Sequence, residues 1–165
     1  MVCGVRDMLA ILSYINDHGA TWMEDIQAEL GIKIREYPDR VVLNYSQINS
    51  PKHHPIVREC RGLILQQDTW KVLAQSFERF YNLGEQEATC KDIFPVGQAT
   101  CWEKLDGSIM TVYWDDTKWC VSTRSMAYAE GVTNLGFSFQ EAFEKALGSS
   151  VEEFFTDMYD KNACF

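Results

Sequence analysis

Residues 101–110 read CWEKLDGSIM. Lys104 stands two positions before an Asp-Gly pair, Asp106-Gly107, with Trp102 ahead of it and Ile109 and Met110 behind. Asp-Gly between two apolar runs is a strong short-range signal for a β-hairpin. ATCWEKL and SIMTVYW are therefore expected to be paired strands, with the lysine on the first. A lysine so placed points into whatever cavity the sheet lines. Its amine becomes a nucleophile only on losing a proton, which burial or nearby cations favour. Glycine allows a ligand close to the backbone. Taken alone, K-x-D-G is weak evidence, because a surface lysine beside a tight turn gives the same four letters.

On both sides the chain continues in β-like character. KWCVSTR follows a turn at Asp115-Asp116-Thr117, and GLILQ and WKVLAQSF flank Gln67-Asp68-Thr69 as a second hairpin. IKIRE (32–36) alternates apolar and charged residues as a half-buried strand does. YPDR then turns the chain into VVLNY (41–45). SQINSPKHHP (46–55), with two prolines and many small polar residues, reads as a loop.

Helices are expected at both ends. Val5, Met8, Leu9, Leu12 and Ile15 recur at helical spacing before Gly19. A second helix opens near Thr21, where Thr21 and Glu24 have capping-box spacing. It carries Met23, Ile26 and Leu30 on one face and stops at Gly31. Leu135, Phe139, Phe143, Ala146 and Leu147 share a later helical face. Ser150 with Glu153 opens VEEFFTDMYDK, with Val151, Phe154, Phe155 and Met158 as its apolar stripe. Both stripes read as core packing, and NACF (162–165) as the start of a further strand. The expected fold class is α+β, built on antiparallel sheet. No repeat, low-complexity tract or linker divides the chain.

A single domain suits 165 residues of which 46% are apolar. The formal net charge of −9 lacks the basic excess of a sequence-independent nucleic-acid binder, so any nucleic-acid contact would need a local patch or further chain. Six scattered cysteines form no C-x-x-C pair, and His18, His53 and His54 are not spaced to complete a zinc site with them. The cysteines read as reduced fillers of a cytoplasmic, soluble protein. MLAILSYI is too short for a membrane span.

Two stretches change the weight of the lysine. VRECRGLIL (57–65) sets Arg58 and Arg61 around Glu59, and SFERFYNL (76–83) sets Arg79 among aromatics. Arginine suits planar, bidentate recognition of phosphate. Each of these arginines could equally pair with one of the many carboxylates.

ECRG, then a basic residue within an F-x-x-F-Y-N stretch, then E-K-x-D-G-S, in that order, resembles the ATP-dependent RNA ligases of T-even phage type. These are tRNA-repair enzymes of the covalent nucleotidyltransferase superfamily. The resemblance covers roughly residues 32–165, most firmly 56–126. It implies an antiparallel-sheet nucleotidyltransferase (ligase adenylation) domain with three parts: N-terminal helices at 1–31, a β-rich part with the nucleotide-binding motifs at 32–126, and a helical segment with the start of a strand at 127–165. It implies that Lys104 is the catalytic residue that becomes bonded to AMP. It implies nucleotide-binding roles for Arg61, Arg79, Glu103, Asp106, Gly107 and Arg124, although Ser125 stands where the motif around Arg124 carries a glycine. ATP and Mg²⁺ are the implied cofactors. RNA with 5′-phosphate and 3′-hydroxyl ends, tRNA among them, is the implied partner, in the cytoplasm of a bacterium or a phage-infected host.

The carboxylates and lysines that family members carry further along have no counterpart before Phe165. Metal ligands are therefore expected beyond that residue, and the chain is expected to be an N-terminal fragment that binds nucleotide weakly and self-adenylylates poorly. Two alternatives stay open: a non-catalytic nucleotide-binding module or half of a split ligase, and a capping-type guanylyltransferase or DNA ligase.

Overall fold

The computed structural model describes residues 9–82, 100 and 102–165. Helices α1 (Ala10–His18) and α2 (Trp22–Leu30) precede strands β1 (Ile32–Glu36) and β2 (Arg40–Tyr45). A short helix, α3 (Pro55–Glu59), leads into β3 (Arg61–Gln66) and β4 (Val72–Ala74). The hairpin β5 (Thr111–Trp114) and β6 (Trp119–Ser122) comes next, then α4 (Phe139–Leu147) and α5 (Val151–Phe154). β1 to β4 form one antiparallel sheet in chain order, and β5 and β6 a second. The expected α+β class is what the structure shows.

Period-two alternation sorts the core into layers. Val41, Leu43 and Tyr45 of β2, with Leu63 and Leu65 of β3, face Ile11, Ile15, Trp22 and Ile26 of the N-terminal helices. Their neighbours Val42 and Ile64 point the other way, with Ala74, and meet Tyr113 and Cys120 of the hairpin. Val112, Trp119 and Val121 occupy the outer hairpin face and pack with Val151 and Phe155, against which Phe139, Phe143 and Leu147 of α4 also lie. β2 and β3 are buried on both faces, so both strands read as apolar runs.

A polar network ties the sheets together. Arg40 is buried; its Nη1 donates to Tyr113 Oη at 2.8 Å and its Nη2 to Asp115 Oδ2 at 3.2 Å, with Asp39 as a further acceptor. Tyr113 Oη in turn donates to the Ala127 carbonyl at 2.9 Å. Burial opposes the charge of Asp115. Even so, hydrogen bonds from the Thr117 hydroxyl, the Thr117 and Lys118 amides and Cys120 hold its carboxyl well below the usual carboxylate range. Burial also opposes the Arg40 charge, and its bonds to Asp39 and Tyr113 more than restore it.

Several expectations need correction. Residues 102–110 form neither helix nor strand, and Asp106-Gly107 is not a hairpin turn. Across from 102–110 no described strand offers a ladder, and burying Glu103, Lys104 and Asp106 unpaired would be costly. Thr21 caps nothing; its hydroxyl bonds Asp25 and the His18 carbonyl instead. Leu135 is exposed and precedes α4, which opens at a Ser138–Glu141 capping box. The Ser150–Glu153 box does form, but α5 stops at Phe154 and Met158 is exposed. Phe155 leaves helical geometry there and joins an aromatic cluster with Trp119, Tyr159 and Phe165. NACF forms no strand; Phe165 and Val112 of β5 exchange both backbone hydrogen bonds, at 2.9 and 3.0 Å. Val5, Met8, Cys3, Cys90 and Cys101 lie outside the described residues, as do Leu83 and Ala99 from the quoted motifs. Cys60, Cys120 and Cys164 are free thiols. Among the described residues no helix is long and apolar enough to cross a membrane.

Candidate nucleotide-binding site

Each letter of ECRG has a separate task. The Glu59 carboxylate accepts from the Ala10 and Ile11 amides at 2.9 and 3.0 Å, satisfying donors that the first turn of α1 leaves open. Cys60 is fully buried in the helix-side core, and burial pushes its thiol pKa up. Arg61 begins β3 with its guanidinium carbon 4.9 Å from the centre of the Phe80 ring. Gly62 has φ +76°, and a Cβ there would lie 3.1 Å from the Arg124 Cα and carbonyl oxygen. Only glycine fits without strain, and its absent side chain brings β3 against the 123–126 turn.

That approach forms one wall of a cavity of about 410 Å³. Arg61 and Arg124 supply its charge, and Ser76, Ser108, Thr111, Thr123 and Ser125 supply hydroxyls. Gly107 and Ile109 contribute from the lysine-bearing segment, and Met126 and Phe139 form apolar lining. Among the described residues no carboxylate lines it.

Arg79 does not line this cavity; it is 6% exposed, with its guanidinium carbon 4.3 Å from the Tyr45 ring centre and 5.7 Å from that of Tyr81. Its Nη1 is buried without a hydrogen-bond partner. The Arg124 guanidinium carbon is also 4.3 Å from the Tyr45 ring centre, and Arg124 Nε donates to Asn44 Oδ1 at 2.9 Å. Pairing with a carboxylate holds for Arg58, which meets Glu78 at 2.8 Å. Among the described residues it does not hold for Arg61, Arg79 or Arg124.

Three of the expected site residues, Arg61, Gly107 and Arg124, line one cavity, and Arg79 joins them through Tyr45. Glu103, Lys104 and Asp106 do not line it. Lys104 is 90% exposed and forms a loose ion pair with Asp106 at 3.8 Å. An exposed pair of this kind holds little in place. The serine and threonine hydroxyls, Tyr45 and Asn44 were missed from sequence: an aromatic on an apolar strand reads as core, and scattered hydroxyls have no spacing rule. Among the described residues no group of three or more His, Cys, Asp or Glu side chains is gathered to hold a metal. Among the described residues the cavity lining offers guanidinium and hydroxyl groups suited to phosphate oxygens and no carboxylates suited to Mg²⁺.

The profile of the RNA ligase family, T4 type, matches residues 59–165. The chain belongs to that family. A relative from Autographa californica nuclear polyhedrosis virus, named as a bifunctional polynucleotide kinase/RNA ligase, is 35% identical over 125 residues, covering 70% of this chain and 18% of the relative. Another from Thermovibrio ammonificans, named as an RNA ligase, is 30% identical over 90 residues, covering 53% of this chain and 23% of the relative. The chain thus spans less than a quarter of either relative's length. No solved structure matches significantly.

Proposed function

We propose that this chain is part of an ATP-dependent RNA ligase, a partial nucleotidyltransferase domain holding the nucleophile and one side of the ATP pocket. The observation that carries the reading is the set Arg61, Arg79 and Arg124. Arg61 and Arg124 line one cavity, Arg79 shares the Tyr45 ring with Arg124, and none of the three has a carboxylate partner among the described residues. Such a cluster fits the negative charge of a triphosphate.

In this reading the neutral Lys104 amine attacks the α-phosphate of ATP. An N–P bond forms, the P–O bond to pyrophosphate breaks, and the amine gives up a proton. The AMP then passes from Lys104 to an RNA 5′-phosphate, the N–P bond breaking as a P–O bond forms and the amine regaining a proton, and a 3′-hydroxyl displaces AMP as the strands join. The arginines offset charge that builds on the phosphate oxygens. The exposed position of Lys104 requires the 102–106 stretch to close over the cavity. Gly107, with positive φ and open space around it, is the natural hinge.

The test is the intact mass of the chain before and after ATP with Mg²⁺, beside Lys104→Ala. An AMP increment in the wild type alone is expected, at low stoichiometry. An equal increment in Lys104→Ala would remove Lys104 as nucleophile. The exposure of Lys104 favours one second reading, a nucleotide-binding module without the reaction. In that case ATP binds and no increment appears, even in a longer chain.

A further inference from the structure

We propose that Tyr45, with Asn44, is a positioning residue that presents Arg79 and Arg124 to a polyphosphate; the inference rests on the nucleotide reading above. Tyr45 is buried among Leu43, Leu63 and other core residues, so its ring is fixed from behind. Two guanidinium carbons lie 4.3 Å from that ring's centre. Like charges gathered on one ring repel each other, and the negative face of the ring attracts each. Without an anion the arrangement holds excess positive charge, with Arg79 Nη1 lacking an acceptor.

Asn44 completes the device. Consecutive strand residues ordinarily point to opposite faces. The β2–β3 register shifts between Leu43 and Asn44, and an irregularity of this kind re-aims side chains. Both Asn44 and Tyr45 thereby reach Arg124. Asn44 occupies Nε, and both terminal nitrogens of Arg124 are left without a protein acceptor among the described residues, the geometry needed for a bidentate grip on phosphate. The Tyr45 hydroxyl has no hydrogen-bond partner among the described residues, so the ring itself is the working part.

Calorimetric titration of the 165-residue chain with inorganic tripolyphosphate, with ATP and with adenosine, metal-free, tests this on Tyr45→Phe, Tyr45→Leu and Asn44→Ala. Tyr45→Phe is expected to bind tripolyphosphate within about twofold of wild type. Tyr45→Leu is expected to bind it about tenfold more weakly and Asn44→Ala about threefold, with adenosine affinity unchanged in both. A general structural defect would weaken adenosine as well and would not be rescued by phenylalanine. Should Tyr45→Leu fail to fold, Asn44→Ala decides, since Asn44 lies only partly buried at the strand end. Wild-type tripolyphosphate affinity in the foldable variants overturns the role of Tyr45 and Asn44 alone. Wild-type chain that binds neither ATP nor tripolyphosphate overturns the nucleotide reading itself.

Discussion

Arg40 and Arg79 are both buried, and they are treated in opposite ways. Arg40 meets Asp39, Asp115 and Tyr113, and its site joins β2 to the β5–β6 hairpin. Arg79 meets two tyrosine rings and no carboxylate among the described residues. A cation neutralised from within holds the fold together. A cation left short of an acceptor is, in the function proposed above, where an outside anion would sit. Arginine content alone does not separate these cases; the groups facing each guanidinium do.

Substitutions should break this contrast in a graded order. Asp115→Asn removes the compensating charge from Arg40 and is expected to cost about 3 kcal/mol in urea denaturation, with tripolyphosphate affinity intact. Gly62→Ala forces a positive φ and presses on the Arg124 backbone, at a cost of about 2 kcal/mol. Unlike Asp115→Asn, it should also weaken tripolyphosphate binding. Arg79→Met removes a buried cation short of an acceptor. It should raise stability by about 1 kcal/mol while reducing tripolyphosphate affinity at least tenfold. Glu59→Ala opens the start of α1 and should cost about 1 kcal/mol.

Acid sharpens the same contrast. The folded-state pKa values of Asp115 and Asp39 are depressed, through the hydrogen bonds around Asp115 and through Arg40 at Asp39. Their contribution is fully present above the unfolded carboxylate value of about 4 and is lost as pH falls below it toward the lower folded values. Urea midpoints should therefore fall steeply below about pH 4, and Asp115→Asn should flatten that slope.

Much of the sheet was legible because its signals are local: IKIRE alternates apolar and charged letters, and VVLNY and GLILQ are short apolar runs bounded by turn or loop residues. The ECRG arginine was legible by resemblance, yet Glu59 as a cap on α1 was not, since its partners lie far back in the chain. Lys104 was misplaced because Asp-Gly reports only the chemistry of a turn. A strand also needs a partner, and pairing is decided by distant residues. The start of α5 could be read from Ser150 and Glu153, but its stop could not, because aromatic packing around Phe155 ends it. The S-x-x-E of Ser138 and Glu141 was there to be read and went unread.

The contact between Gly62 and the Arg124 backbone joins two motifs distant in sequence at a gap too small for a methyl group. Neither can drift without the other. A lineage that replaced the glycine would first have to pull back the turn that carries the arginine, and would meanwhile pass through a form with a distorted pocket. The two stretches should therefore be inherited as one unit, and chimeras that exchange only one between relatives should be the ones that lose the site.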